Sequence, residues 1–87
     1  MKKIVYFSLP MCIPCVETSR WITEVMYEHQ EYEDIEFEMI DVSRNWDKAK
    51  EYKLESAPAF YLDGERVHEG EATKEIVENI FKTAYQG

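Results

Sequence analysis

The chain has 87 residues, enough for one domain with a single core, and its hydrophobic share of 45% excludes an intrinsically disordered protein. Its 18 acidic and 10 basic residues give a net charge of −8, which excludes binding to a nucleic-acid backbone, because such binding requires a basic face. No stretch approaches the length of apolar sequence that spans a membrane. We therefore predict a soluble protein with one domain, residues 1–87.

The first predicted elements are a buried strand and an amphipathic helix. Residues 3–8 (KIVYFS) are rich in β-branched and aromatic side chains, which is typical of a buried strand. Helical spacing begins at Cys12, because apolar side chains then recur three or four residues apart. The residues expected on the buried face of this helix are Cys15, Ser19, Ile22, Val25, Met26 and His29.

A second strand and a second helix follow. Residues 34–42 (DIEFEMIDV) alternate between apolar and acidic side chains, and this alternation predicts a strand. Ser43 is placed to cap a short helix that runs through residue 53. Pro58 sets the limit beyond that helix, because proline disfavours helical backbone in the residue before it.

The last predicted elements are a hairpin and a helix. The strands 59–62 and 65–69 are joined by Asp63-Gly64, a pair that accepts the positive φ of a tight turn. Thr73 caps a final helix, whose apolar stripe is Ile76, Val77, Ile80, Phe81 and Ala84. The full order predicts an α/β fold, a four-stranded mixed sheet with a parallel crossover first, an antiparallel hairpin later and helices on both faces.

Both cysteines of the chain lie in the stretch FSLPMCIPCV, where the first strand passes into the first helix. Pro10 keeps the helix from starting early, and Pro14 fits the first turn, where its missing N–H has no helical partner. Cys12 therefore lies at the helix N-terminus, whose free N–H groups stabilise a thiolate. Cys15 is close enough to bridge to it. We predict that Cys12 attacks a substrate disulfide and that Cys15 resolves the mixed disulfide.

Three alternatives to this redox interpretation remain open. The pair could be buried and inert, although inert cysteines need neither this spacing nor a helix entrance. A structural zinc site needs four ligands, and the remaining donors, His29 and His68, lie far from the spacing of zinc motifs. A metal or cluster could be shared between two subunits. A structural staple is excluded, because the loop between the two cysteines is too short to stabilise a fold.

Two segments resemble the thioredoxin and glutaredoxin superfamily. FSLPMCIPC is similar to the glutaredoxin pattern Tyr-Ser-Lys-Pro-x-Cys-Pro-Tyr-Cys, and AKEYKLESAPAFYLDGERVHEG resembles the superfamily's second conserved stretch, with its cis-proline, strand, turn and strand. The likeness covers nearly the whole chain. It implies the thioredoxin fold, with four strands and three helices in the order β-α-β-α-β-β-α, and a thiol-disulfide oxidoreductase.

The resemblance also implies a substrate-binding surface around the cysteines. Pro58 would be the cis-proline that faces them, and Ala57 would offer its backbone to an extended substrate. From the residues alone, Pro58 could equally be a trans proline that starts an edge strand. Met11 and Ile13 would complete an apolar rim, although Met11 could also be an exposed residue with no role. Pro14 is shared with thioredoxins, which also have proline before the second cysteine.

Departures from the glutaredoxin pattern bear on glutathione and on partners. Leu9 replaces a lysine that would hold a glutathione carboxylate, and Glu71 adds a repelling charge, so glutathione binding is not expected. The best match is to small glutaredoxin-like thioredoxins and to electron donors of ribonucleotide reductase. We expect a monomer without cofactor or metal that reduces protein disulfides and is recharged by a flavoprotein disulfide reductase. A glutathione-dependent glutaredoxin is the alternative.

The N-terminal segment superficially resembles a secretion signal, with a lysine pair and a short apolar run. Ser8 and Pro10 break that run, and Pro-Met before Cys12 is a poor cleavage site. We therefore expect a cytoplasmic protein, in a compartment that keeps thiols reduced.

Overall fold

The computed structural model describes all residues from Met1 to Gly87. Four strands and three α-helices form in the predicted order: β1 (Ile4–Ser8), α1 (Ile13–Glu28), β2 (Phe37–Asp41), α2 (Trp46–Glu51), β3 (Ala59–Leu62), β4 (Glu65–Glu69) and α3 (Lys74–Gln86). Short 3₁₀ turns at Gln30–Asp34 and Val42–Arg44 flank β2. The predicted fold class is confirmed.

The sheet has the strand order β2-β1-β3-β4, so β1 lies inside it. β1 pairs in parallel with β2 and antiparallel with β3, which in turn pairs antiparallel with β4. The carboxyl ends of β1, β2 and β4 therefore lie at the same edge as the amino end of β3. This edge, which we call the carboxyl edge, carries both cysteines and Pro58.

Helices cover both faces of the sheet, as predicted. Thirteen buried residues join α1 and α3 to one face, with Tyr6, Phe60 and Phe81 at the centre of this cluster. Seven buried residues join α2 to the other face, around Phe7 and Tyr61. The larger cluster lies under α1, which begins next to the cysteines, whereas α2 packs against the smaller cluster.

The Asp63-Gly64 turn between β3 and β4 is confirmed. Asp63 has a φ of 48° and Gly64 a φ of 87°, both in the left-handed region that a tight hairpin turn needs. The Asp63 carboxylate also accepts the N–H of Lys3 at 2.8 Å, which ties the turn to the start of β1.

The predicted cap of the second helix is wrong. Ser43 lies inside the 3₁₀ turn, where Asp41 Oδ1 accepts both its N–H at 2.9 Å and its hydroxyl at 2.6 Å. Asn45 is the N-cap of α2 instead, without a side-chain cap bond. Because Asp41 engages the Ser43 hydroxyl, the helix starts two residues later than the sequence suggests and ends earlier, at Glu51.

The predicted start of the second strand and the buried face of α1 also need correction. The strand begins at Phe37, since the preceding residues form a 3₁₀ turn that buries Tyr32 and Ile35. On α1 the buried residues are Cys15, Thr18, Ile22 and Val25, whereas Ser19, Met26 and His29 are only partly buried. The helix is rotated toward Thr18 because it packs against the segment before α3 as well as against the sheet.

Candidate active site

Cys12 is the N-cap of α1. Its Sγ accepts the N–H of Cys15 at 3.3 Å, so sulfur takes the place of the oxygen that usually caps a helix. Its carbonyl accepts the N–H of Val16 at 3.0 Å, the first bond of the helix. Pro14 lies in the first turn. The predicted position of Cys12 at the helix entrance is confirmed.

Cys15 lies beneath Cys12 in different surroundings. Only 2% of it is exposed, whereas Cys12 is partly exposed, and both are free thiols. Leu9 N–H donates to Cys15 Sγ at 3.5 Å. Burial, helped by the neighbouring Cys12, raises the pKa of the Cys15 thiol to about 11. Of the two sulfurs, one is therefore offered to solvent and the other is kept protonated and covered.

Tyr6 supports the first turn of α1 from below. Its hydroxyl donates to the Cys15 carbonyl at 3.1 Å and lies 3.1 Å from Ser19 Oγ. Burial raises the pKa of Tyr6 to about 12, so the phenol stays protonated and able to donate. The sequence analysis missed this contact, because an apolar strand pattern does not show where a phenol hydroxyl points.

Three other predicted site residues surround Cys12 in the chain and face solvent. Met11 is fully exposed and has a φ of 58°, and Ile13 is 77% exposed. Pro14 is exposed as well. We call Met11, Cys12, Ile13 and Pro14 the exposed lip, and we call Cys15 and Thr18, with Tyr6 behind them, the buried turn.

Ala57 and Pro58 reach the same edge from another part of the chain. Their peptide bond is cis, as the resemblance implied, and Pro58 is buried. Ala59, the next residue, pairs with Phe7 near the end of β1, which places Pro58 at the carboxyl edge. Neither the N–H nor the C=O of Ala57 has a hydrogen-bond partner within the chain. That backbone is free to pair with an extended peptide.

Comparison with known proteins identifies the family. The model of the family described as Thioredoxin domain matches residues 1–82. The chain belongs to this thioredoxin domain family. A thioredoxin of Methanocaldococcus jannaschii is 36% identical over 81 residues, which cover 92% of this chain and 93% of the relative.

Solved structures agree with this assignment. The oxidised mitochondrial thioredoxin 3 from Saccharomyces cerevisiae is similar with a TM-score of 0.75 and 28% identity, covering 94% of this chain and 77% of its own. The thioredoxin of Malassezia sympodialis is similar with a TM-score of 0.78 and 16% identity, covering 97% and 75%. The second likeness concerns the fold alone. With its family and its adjacent cysteines, this thioredoxin-domain protein is a thiol-disulfide oxidoreductase.

Leu9 and Glu71, two of the positions that depart from the glutaredoxin pattern, lie at the carboxyl edge. Leu9 is 37% exposed and precedes the exposed lip. Glu71 is exposed, and its carboxylate forms no ion pair and no hydrogen bond. Leu9 thus offers a partly exposed apolar side chain at this edge, and Glu71 offers a negative charge without an ion-pair partner.

The histidines form no hydrogen bond with either cysteine. His29 caps the far end of α1, and its ring lies tilted against Tyr32 with ring centroids 5.1 Å apart. His68 Nε2 lies 3.2 Å from the Glu71 carbonyl. The structure contains no group of three or more His, Cys, Asp or Glu side chains placed to hold a metal ion. No helix combines the length and the apolar composition that a bilayer crossing requires.

Proposed function

We propose that this protein reduces disulfide bonds in protein substrates by dithiol exchange. One observation carries the proposal: Cys12 is partly exposed at the helix N-terminus, with the covered thiol of Cys15 one turn below it. Because Cys12 is partly exposed, a protein disulfide can reach it. Because Cys15 is buried, it does not attack substrates itself and remains available to resolve the mixed disulfide on Cys12.

The reaction proceeds in two exchanges. The Cys12 thiolate attacks one sulfur of the substrate disulfide, and the other substrate sulfur leaves as a thiolate. Cys15, whose raised pKa keeps it a thiol until then, passes its proton to the substrate thiolate released in the first exchange and attacks Cys12 Sγ. The second substrate thiol is released, and a Cys12–Cys15 disulfide remains. Two electrons have passed to the substrate.

The surface around Cys12 supports a protein substrate rather than a small molecule. The exposed lip offers two large apolar side chains, Met11 and Ile13, beside the reacting sulfur. Ala57 offers an unpaired N–H and C=O, which suit an extended backbone. We assign substrate orientation to Ala57 and Pro58, and apolar docking to Met11, Ile13 and Pro14.

Turnover requires a second partner, because the oxidised pair must regain two electrons. A flavoprotein disulfide reductase is the proposed source, and ribonucleotide reductase is a proposed acceptor. This cycle needs a compartment that keeps thiols reduced, which supports a cytoplasmic location. We propose that the protein acts there as a monomer. A net charge of −8 favours partners with a basic docking surface. No cofactor or metal enters the exchange itself.

Trapping tests the proposal directly. Cys15→Ser should accumulate a mixed disulfide with a disulfide-containing protein such as insulin, because the resolving thiol is gone. Cys12→Ser should accumulate no mixed disulfide. Titration against a thiol redox buffer should give a reduction potential near or below about −250 mV. A potential near about −120 mV would show a disulfide donor instead, and the absence of a reversible bridge would exclude the redox function.

A further inference from the structure

Thr18 is the one completely buried polar side chain in the structure, apart from the tyrosines. It lies on α1 three residues after Cys15, on the same buried face. A valine would fill the same space without a polar atom, so the hydroxyl needs a partner there. That partner is the backbone N–H of Ala72, which donates to Thr18 Oγ1 at 3.2 Å across 54 residues of sequence.

Ala72 belongs to the 70–73 loop, which joins β4 to α3 at the carboxyl edge. Gly70 begins the loop with a φ of 93°, and its N–H donates to the Pro58 carbonyl at 2.8 Å. His68 Nε2 lies 3.2 Å from the Glu71 carbonyl. The loop is thus held on one side to the cis-proline and on the other to the helix of the cysteines.

The Thr18 hydroxyl accepts a hydrogen bond that links α1 to the 70–73 loop. Thr18 lies one turn below Cys15, whereas Pro58 and the 70–73 loop come from the second half of the chain. The Gly70 bond attaches the loop to β3, and the Ala72 bond attaches the loop backbone to α1, beside the ion pairs of Lys74 with Glu24 and Glu28. The Ala72 bond thus sets the position of the loop backbone relative to the part of α1 that follows Cys15.

We propose that Thr18 is a positioning residue that fixes the 70–73 loop for the docking of protein disulfides. A folded substrate spans the exposed lip, Pro58 and the loop together, so their relative placement determines how well it binds. A small disulfide needs only the Cys12 sulfur. This inference rests on the proposed function, since it concerns the same protein substrates.

Two matched pairs of variants isolate the hydroxyl. The first pair compares Thr18→Val with the unaltered protein, because valine removes the hydroxyl at nearly constant shape. Thr18→Ser keeps the hydroxyl and loses only the methyl group. Thr18→Ala, compared with Thr18→Ser, gives a second pair that differs by the hydroxyl alone and that serves if Thr18→Val does not fold. The substrates are insulin, as a protein disulfide, and bis(2-hydroxyethyl) disulfide, as a small neutral one.

We expect Thr18→Val and Thr18→Ala to raise KM for insulin about fivefold while kcat stays within about twofold. The rate with bis(2-hydroxyethyl) disulfide should stay within about twofold in every variant, and Thr18→Ser should restore the insulin KM. Hydrogen exchange at the Ala72 amide should accelerate in the variants without the hydroxyl and remain slow in Thr18→Ser, because only the former leave this N–H unbonded.

Other results overturn the inference. An unchanged insulin KM in folded Thr18→Val or Thr18→Ala would show that the loop needs no such anchor. Equal losses with both substrates would show that the hydroxyl serves the fold or the thiols rather than docking. Failure of the unaltered protein to reduce insulin, with the small disulfide still reduced, would overturn the proposed function and, with it, this inference. The unaltered protein therefore separates the two failures before any variant is made.

Discussion

The exposed lip and the buried turn are neighbours at the start of α1 and differ in exposure and in hydrogen bonding. Met11 and Ile13 of the exposed lip have few neighbours, while Cys15 and Thr18 of the buried turn are enclosed and hydrogen-bonded. The comparison indicates that the residues of the exposed lip serve the reaction, whereas those of the buried turn also stabilise the fold. Changes in the exposed lip should alter chemistry or docking alone, whereas changes in the buried turn should also alter the free energy of unfolding.

The largest expected effect separates the two cysteines. Cys12→Ser should lower insulin reduction by at least about 10³-fold, because no other exposed thiol can attack the substrate. Its urea midpoint should stay the same, since serine keeps an acceptor at the N-cap. A residual activity above about a tenth would contradict the role of Cys12. Cys15→Ser should shift the midpoint downward, because it buries a more polar hydroxyl.

Tyr6→Phe should affect stability next most strongly. It removes the hydroxyl that serves the Cys15 carbonyl and Ser19, and leaving buried groups unpaired costs about 1–3 kcal/mol of unfolding free energy. Urea denaturation measures the loss. Tyr27→Phe is the matched control, because Tyr27 is 82% exposed and has no hydrogen bond. Equal effects of the two substitutions would mean that the buried turn gains nothing from the Tyr6 contact.

Alkaline pH should destabilise the reduced protein through the buried turn. The folded state raises the pKa of Cys15 from 9.0 to about 11 and that of Tyr6 from 10.0 to about 12, so it favours their protonated forms. This stabilisation is complete below the unfolded pKa of each group and is lost as pH rises through the folded pKa. The melting temperature of the reduced protein should therefore fall above about pH 9.

The oxidised protein is the control for this pH profile. Its Cys15 no longer titrates, so of these two groups only Tyr6 still contributes, and their combined decline should begin about one pH unit higher. Identical profiles for the two redox states would show that the Cys15 thiol contributes nothing to alkaline instability.

Glutathione reactivity should respond to charge at the edge of the site. Leu9→Lys together with Glu71→Lys should increase reduction of a glutathione mixed disulfide about tenfold, because the variant adds cations where glutathione carboxylates would bind. The gain should shrink at high salt, as expected for exposed charges. Lys82, on α3, supplies a control: Lys82→Glu changes net charge away from the site and should leave this rate unchanged.

The smallest effects are expected in the apolar part of the exposed lip. Met11→Ala and Ile13→Ala should each raise KM for insulin by about two- to threefold, because each removes docking area at the rim. The free energy of unfolding should change by less than about 0.5 kcal/mol, as is usual for exposed side chains. Tyr27→Ala, another exposed apolar residue on α1, should change neither quantity. A KM equal to that of the unaltered protein would exclude Met11 and Ile13 from docking.

Local signals in the sequence predicted much of the molecule. Asp63-Gly64 predicted its turn because backbone conformation there depends on the two residues themselves. The prolines predicted where α1 begins, because their steric limits act on immediate neighbours. The cis bond before Pro58 came from the resemblance, since the residues alone left it open.

Contacts between distant residues could not be predicted in the same way. The Thr18 hydroxyl meets Ala72 only after the chain has folded, and helical periodicity alone placed the partly buried Ser19 on the inner face instead. Ser43 is a typical cap residue, but Asp41 at the end of β2 binds its N–H and its hydroxyl, and the sequence pattern does not show this contact. Such errors mark places where tertiary contacts override a local preference.

The position of β1 in the sheet has a consequence for partly unfolded forms of the protein. Residues 4–7 of this strand are at most 1% exposed, and β1 is paired on both sides, whereas β2 and β4 are edge strands. Edge strands detach at a lower free-energy cost than internal ones. A form that has lost β4, or has been cut by a protease at the exposed Asp63-Gly64 turn, would still keep the strand that leads into Cys12. The dithiol is thus attached to the segment of the sheet that is expected to unfold last.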